Sequence, residues 1–217
     1  MLHFWDFSYR NDFRHNASAA QTALYARLQL LVMAEQGALQ RSLARLEKAV
    51  ANQAVGELKA IGSEMGEYAL VRNEIAFAEM GVIAQAVKKV CEKQYLATSP
   101  EWPAVRNKVV ERVHQAENML EQARRDEVLE CLRLASSALD DFNTNKGRFR
   151  TSLASKARIK LAADIYAHGA SLGKACELSG AAKQDALEYV SVTKIPDKYP
   201  PAISVAERLK IAESVFE

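Results

Sequence analysis

No proline stands before Pro100 in this chain of 217 residues; all five lie at or after that position. Ring closure therefore breaks nothing in the first part of the chain, and long helices are the first expectation. Cysteine is as scarce. Cys91, Cys131 and Cys176 are odd in number, far apart and never in a Cys-x-x-Cys pair, which excludes a disulfide framework and a cysteine zinc site and suits reduced thiols in a cytoplasm. Long apolar runs are missing too. The longest, about Leu30 to Ala34, is far short of the about 20 residues that span a bilayer. Asp6 and Asp12 stand among the first aromatics, with no apolar core of a secretory signal, so the expected location is cytoplasmic.

Catalytic signatures are also lacking. No P-loop, Gly-x-Gly-x-x-Gly or Ser-His-Asp order occurs. The four histidines, His3, His15, His114 and His168, show no ligand spacing. Glu111 and His114 form a single Glu-x-x-His on one helix face, whereas a di-iron bundle needs two such motifs and two further glutamates. The expectation is a non-enzymatic protein with no metal and no cofactor.

What is present is the composition of a folded domain, 49% hydrophobic and 26% charged, enough apolar material to bury a core. From Ala17 to Val50, Leu24, Leu28, Leu31, Leu39, Leu43 and Leu46 mostly step by three or four, the spacing of one helical stripe. Asn16 or Ser18 is the expected cap, and Asn52 to Gly56 the expected break. A second helical pattern runs through Leu58, Ile61, Met65, Tyr68, Val71, Ile75, Met80, Ile83, Val87 and Val90. The two make a long antiparallel hairpin over about 17–95. Gly62, Gly66 and Gly81 fall inside the second arm, where they permit close helix contact. Ser99-Pro100-Glu101-Trp102-Pro103 is a stop followed by a start. Helices at about 104–124 and 127–142 follow, marked by Val105, Val109, Val113, Ala116 and Leu120 and then by Val128, Leu132, Ala135, Leu139 and Phe142. No strand alternation is present. The predicted fold class is all-α.

The net charge is only +2, but it is unevenly spread. Residues 144–200 hold ten basic and five acidic residues, a local +5; residues 1–143 come to −2 and the remainder to −1. A basic excess attracts phosphate. The polar stretch Asn143 to Gly147 coincides with the shift, which places the expected boundary between a 1–143 helical bundle and a module over 148–217.

In that module, Ile159, Ala162, Ile165 and Tyr166 line a helix stopping at His168-Gly169. Ser171 caps a short helix over Leu172 to Leu178, Ser179-Gly180 turns, and a third helix runs from about Ala182 to Val190. Helix, glycine turn, helix is the helix-turn-helix plan. The stretches Ile159-Lys-Leu-Ala-Ala-Asp-Ile-Tyr-Ala-His-Gly169, Ser171-Leu-Gly-Lys-Ala-Cys-Glu-Leu-Ser-Gly180, Ala186-Leu-Glu-Tyr-Val190 and Lys194-Ile-Pro196 resemble a family of small prokaryotic helix-turn-helix proteins grouped with antitoxin-type regulators. The resemblance covers residues 156–196, departs from the family pattern at Ala182-Lys183-Gln184-Asp185-Ala186, and implies duplex DNA as partner. On a helix-turn-helix geometry, Lys183 and Gln184 would reach base edges, while Lys156, Arg158, Lys174 and Lys194 would contact phosphate beside the cap Ser171. Reading a two-fold site takes two copies, so a homo-oligomer is expected, with the N-terminal bundle as dimerisation or partner-binding part.

A rival expectation rests on the other end. Phe4, Trp5, Phe7, Tyr9 and Phe13 crowd the first thirteen positions, and could pack on the hairpin, join copies, or enter a membrane surface. The hairpin around Leu46-Glu-Lys-Ala-Val-Ala-Asn-Gln, with Glu64 to Asn73, is similar to the core of ESCRT-III-class membrane-remodelling proteins. That similarity implies an assembly or scaffold protein that binds protein or membrane.

Overall fold

The computed structural model describes residues 37–145 and 152–193, and every described element is helical. The chain divides into two units, Met1–Leu39 and Gln40–Glu217. Of the first, only residues 37–39 are described, and they are helical. The second begins with helical residues 40–51 (α1). It continues with α2 (Val55–Arg72), α3 (Ile75–Cys91), α4 (Gln94–Ala97), α5 (Trp102–Glu121), α6 (Arg125–Asn145), α7 (Leu153–Ala167), α8 (Leu172–Ser179) and α9 (Lys183–Thr193). No described helix is long and apolar enough to cross a membrane.

The expected second hairpin arm is two helices. α2 ends at Asn73, whose left-handed backbone (φ 52°) turns its amide back onto the Ala69 and Leu70 carbonyls. Asparagine tolerates that conformation better than other side-chain-bearing residues. The apolar pattern runs unbroken past this point, so periodicity alone hid the break. Tyr68 and Phe77 meet edge to face across it, with ring centroids 5.6 Å apart.

α3 is the centre of the second unit. It packs against α2, α4, α6, α7 and α8, and the whole run from Ala76 to Val87 is buried. A helix apolar all round is one enclosed by others. Gly66 and Gly81 let α7 come close: a Cβ on either would lie 3.2 Å from Leu161 Cδ1. The charge shift at 143–147 is therefore no division of the chain. Leu161, Ala162 and Ile165 of α7 are fully buried, α7 packs on α2, α3 and α6, and the second unit runs from Gln40 through Glu217.

Local signals set the ends. Ser152 Oγ accepts the Ser155 amide at 3.0 Å and Ser171 Oγ the Lys174 amide at 3.1 Å, each satisfying an otherwise orphan N–H. Pro103 opens α5, where its lost amide costs nothing. Trp102 beside it is buried; its Nε1 donates to Gln53 Oε1 at 2.9 Å, and its ring lies 5.7 Å from Phe142. Arg45 of α1 bridges Glu57 and Glu64 of α2.

Candidate functional site

Positive charge gathers in a groove between α3 and α7. Gln85, Lys88 and Lys89 come from the end of α3 with Lys93 just beyond it; Leu153, Lys156, Ala157, Ile159 and Lys160 come from α7, and Tyr189 from α9. Steps of three and four within each set keep one face of each helix turned to the same space. The groove measures about 440 Å³. Five lysines share it with an apolar lining of Leu153, Ala157 and Ile159.

The field they produce is felt at Glu92. Its carboxyl is held below the usual range, first by a hydrogen bond from Lys88 and further by the charges of Lys88, Lys89 and Lys160. The Lys88–Glu92 pair spans 2.9 Å. Lys93 Nζ stands 5.9 Å from the Tyr95 ring centroid. Charges from both helices thus act on the one Glu92 carboxylate.

Behind the lysines lies a polar pair that the sequence did not single out. Gln85 is only 8% exposed. Its Nε2 donates to the Gly62 carbonyl at 3.2 Å and approaches Asp164 Oδ2 at 3.5 Å, while its Oε1 has no hydrogen-bond partner. Gly62 makes room for it: a Cβ there would fall 2.8 Å from Gln85 Cγ. Burial pushes the Asp164 carboxyl above its ordinary value, against the opposing charges of Lys160 and His168. Burial and the Asp164 charge push the Tyr189 phenol up in turn.

Among the described residues expected from sequence to contact DNA, Lys156 is the one that lines this groove. Arg158 does not face solvent as a phosphate contact. Its guanidinium clamps Glu79 of α3 at 2.6 and 2.9 Å and donates to the Ser179 carbonyl at 3.0 Å, since Glu79 is buried and must be neutralised. Ser171 is taken up as the α8 cap, and Lys174 pairs with Glu177 at 2.8 Å. Lys183 and Gln184 are exposed at the start of α9, with Asp185 beside them. Lys194 and the aromatics from Phe4 to Phe13 lie outside the described residues. Lys88, Lys89, Lys93 and Lys160 were missed. The signal for them was three lysines within six positions at a helix end and a lysine pair four apart, but their meeting depends on a contact between distant segments.

One further cluster has metal-ligand chemistry. Glu47 of α1 and His114 and Glu117 of α5 bring a nitrogen and two carboxylates within 4.8 Å of one another, with His114 Nδ1 3.4 Å from Glu47 Oε2. Glu111, which shares the Glu-x-x-His spacing, instead accepts from Gln115 Nε2 at 3.2 Å.

Compared with protein-family models, curated proteins and solved structures, the chain matches none of them.

Proposed function

We propose that this chain is a non-enzymatic, regulator-like protein that binds duplex DNA, with the lysine groove as its phosphate-contacting surface. The observation that carries this reading is the convergence of Lys88, Lys89, Lys93, Lys156 and Lys160 on one groove with Tyr189 of α9 as part of its wall. Ammonium groups along a groove neutralise successive phosphates and position a duplex without reading it.

The reading takes α7, α8 and α9 as a helix-turn-helix module, in keeping with the prokaryotic regulator resemblance over residues 156–196. α8 ends in a left-handed Gly180 (φ 69°), and α9 buries only Ala186, so its outer surface is open to a partner. Lys183 and Gln184 are the candidates for base edges at the exposed start of α9, and Lys174 of α8 is a candidate phosphate contact. Asp185 and Glu188 repel phosphate, which favours entry by the first turn of α9 rather than its length. Two-fold target sites would call for a homo-oligomer.

A second reading, a helical assembly or scaffold protein with a protein partner, is favoured by Tyr68 and Val71. These lie one turn apart on α2 and are 39% and 75% exposed.

Anisotropy of a labelled duplex of random sequence, titrated between about 50 and 200 mM salt, tests the first reading. Binding that weakens steeply with salt is expected, with the groove lysines adding at most about −4.5 to the log–log slope at about 0.9 each. K89E/K156E should weaken it at least about tenfold and flatten the slope by about 2. A parent protein that leaves the duplex free at about 50 mM salt defeats the reading.

A further inference from the structure

We propose that Glu47, His114 and Glu117 form a binding site for a divalent transition-metal ion of the zinc class, which ties α1 to α5. The site shares no residue with the lysine groove, so it stands or falls apart from the DNA reading.

The ligands come from two helices. His114 and Glu117 are three apart on α5 and share one face, and Glu47 reaches them from α1. Spacing alone would equally pair His114 with Glu111, one turn the other way. The structure decides between them: Glu111 accepts from Gln115, while Glu117 is the carboxylate that meets Glu47 and His114.

The distances suit a small ion. All three donor atoms lie within 4.8 Å of one another. Ligands of a tetrahedral zinc, bound at about 2.0–2.1 Å, stand about 3.4 Å apart. His114 Nδ1 and Glu47 Oε2 are already 3.4 Å apart, which is longer than the about 2.7–3.2 Å of an N–H···O hydrogen bond. The remaining separations close by rotation of side chains that all keep some exposure to solvent.

Charge favours a cation here as well. Glu117 feels the negative charges of Glu47 and Glu121, opposed by His114. Two ionised carboxylates this close repel each other, and a bound dication relieves that repulsion. One imidazole nitrogen with two carboxylate oxygens is a donor set for zinc and its first-row neighbours, whereas magnesium and calcium take oxygen ligands. Three protein ligands leave a fourth position for water, on the open side where His114 is 58% exposed.

Calorimetric titration of the chelator-treated full chain with Zn²⁺ tests this. H114A, E117Q and E47Q should each weaken binding at least about tenfold, and E111Q should leave it unchanged. Circular dichroism reports that each variant is folded. Zn²⁺ at about 100 times its Kd should raise the Tm of the parent by about 5 °C or more, and that of H114A by far less. Co²⁺ in place of Zn²⁺ should show visible bands without thiolate charge transfer. No uptake at about 100 µM Zn²⁺ overturns the proposal, as does an affinity that survives in folded H114A, E117Q or E47Q. A loss in E111Q equal to that in E117Q overturns the assignment of ligands. A thiolate band would place the ion on Cys91, Cys131 or Cys176 and overturn it too.

Discussion

Arg158 of α7 and Glu79 of α3 form a two-pronged ion pair, with Nη1 to Oε1 at 2.6 Å and Nη2 to Oε2 at 2.9 Å. The Glu79 side chain is 4% exposed and that of Arg158 is 22% exposed. The same guanidinium reaches the Ser179 carbonyl and approaches Ser136 Oγ at 3.4 Å. One side chain thus ties α3, α6, α7 and the end of α8 together.

Removing either partner leaves a buried charge alone. E79L and R158M are each expected to destabilise the fold by about 3–5 kcal/mol, whereas the double variant should cost far less than their sum. Urea unfolding of the four proteins measures this coupling. Additive losses would mean that the pair contributes no mutual energy.

Gly180 faces that guanidinium. A Cβ there would stand 2.9 Å from Arg158 Nη1, on a backbone with φ of +69°. G180A is therefore expected to lose about 1–2 kcal/mol from backbone conformation alone, and more from the displaced arginine. In an R158M background only the conformational part should remain. The difference between the two backgrounds, read from urea midpoints, isolates the steric part.

Asp164 makes stability depend on pH in the opposite sense to a salt-bridged carboxylate. Burial first, resisted by Lys160 and His168, raises its native value, so the folded chain holds the proton longer than the unfolded one. Stability from this group is then present at low pH. It declines as pH rises from the unfolded value of about 3.9 through the higher native value. D164N removes the cost of charging a buried carboxyl. It should be more stable than the parent at pH 7, with the gap closing as the solution is acidified below the native value. A gap that stayed constant from pH 7 to pH 4 would refute this.

Much of the helical layout was legible because its signals are local. Ser171 before an apolar step, Gly180 after one, and Pro103 at a helix start each act within a few residues, and the structure has helix ends beside all three. The break at Asn73 was not legible, because Val71 and Ile75 keep the four-residue helical step across the polar Arg72-Asn73-Glu74 and the apolar run of α3 follows at once. Arg158 read as a solvated cation since nothing near it in sequence discloses Glu79, 79 positions away. The groove was hidden for the same reason. Lys88 and Lys160 become neighbours only when α7 lies against α3, and that contact depends on Gly66 and Gly81 admitting Leu161.

The enclosure of α3 has a consequence for mutational work. Ala76 to Val87 are locked in the interior, while Lys88 and Lys89, on the very next turn, carry the groove's charge. A swap at Met80 or Ile83 that rotates this rod by a fraction of a turn would swing both ammonium groups away from α7. A random library sorted for ligand retention would then return interior positions alongside the lysines. Only a parallel sort for folded protein would tell the two kinds of hit apart.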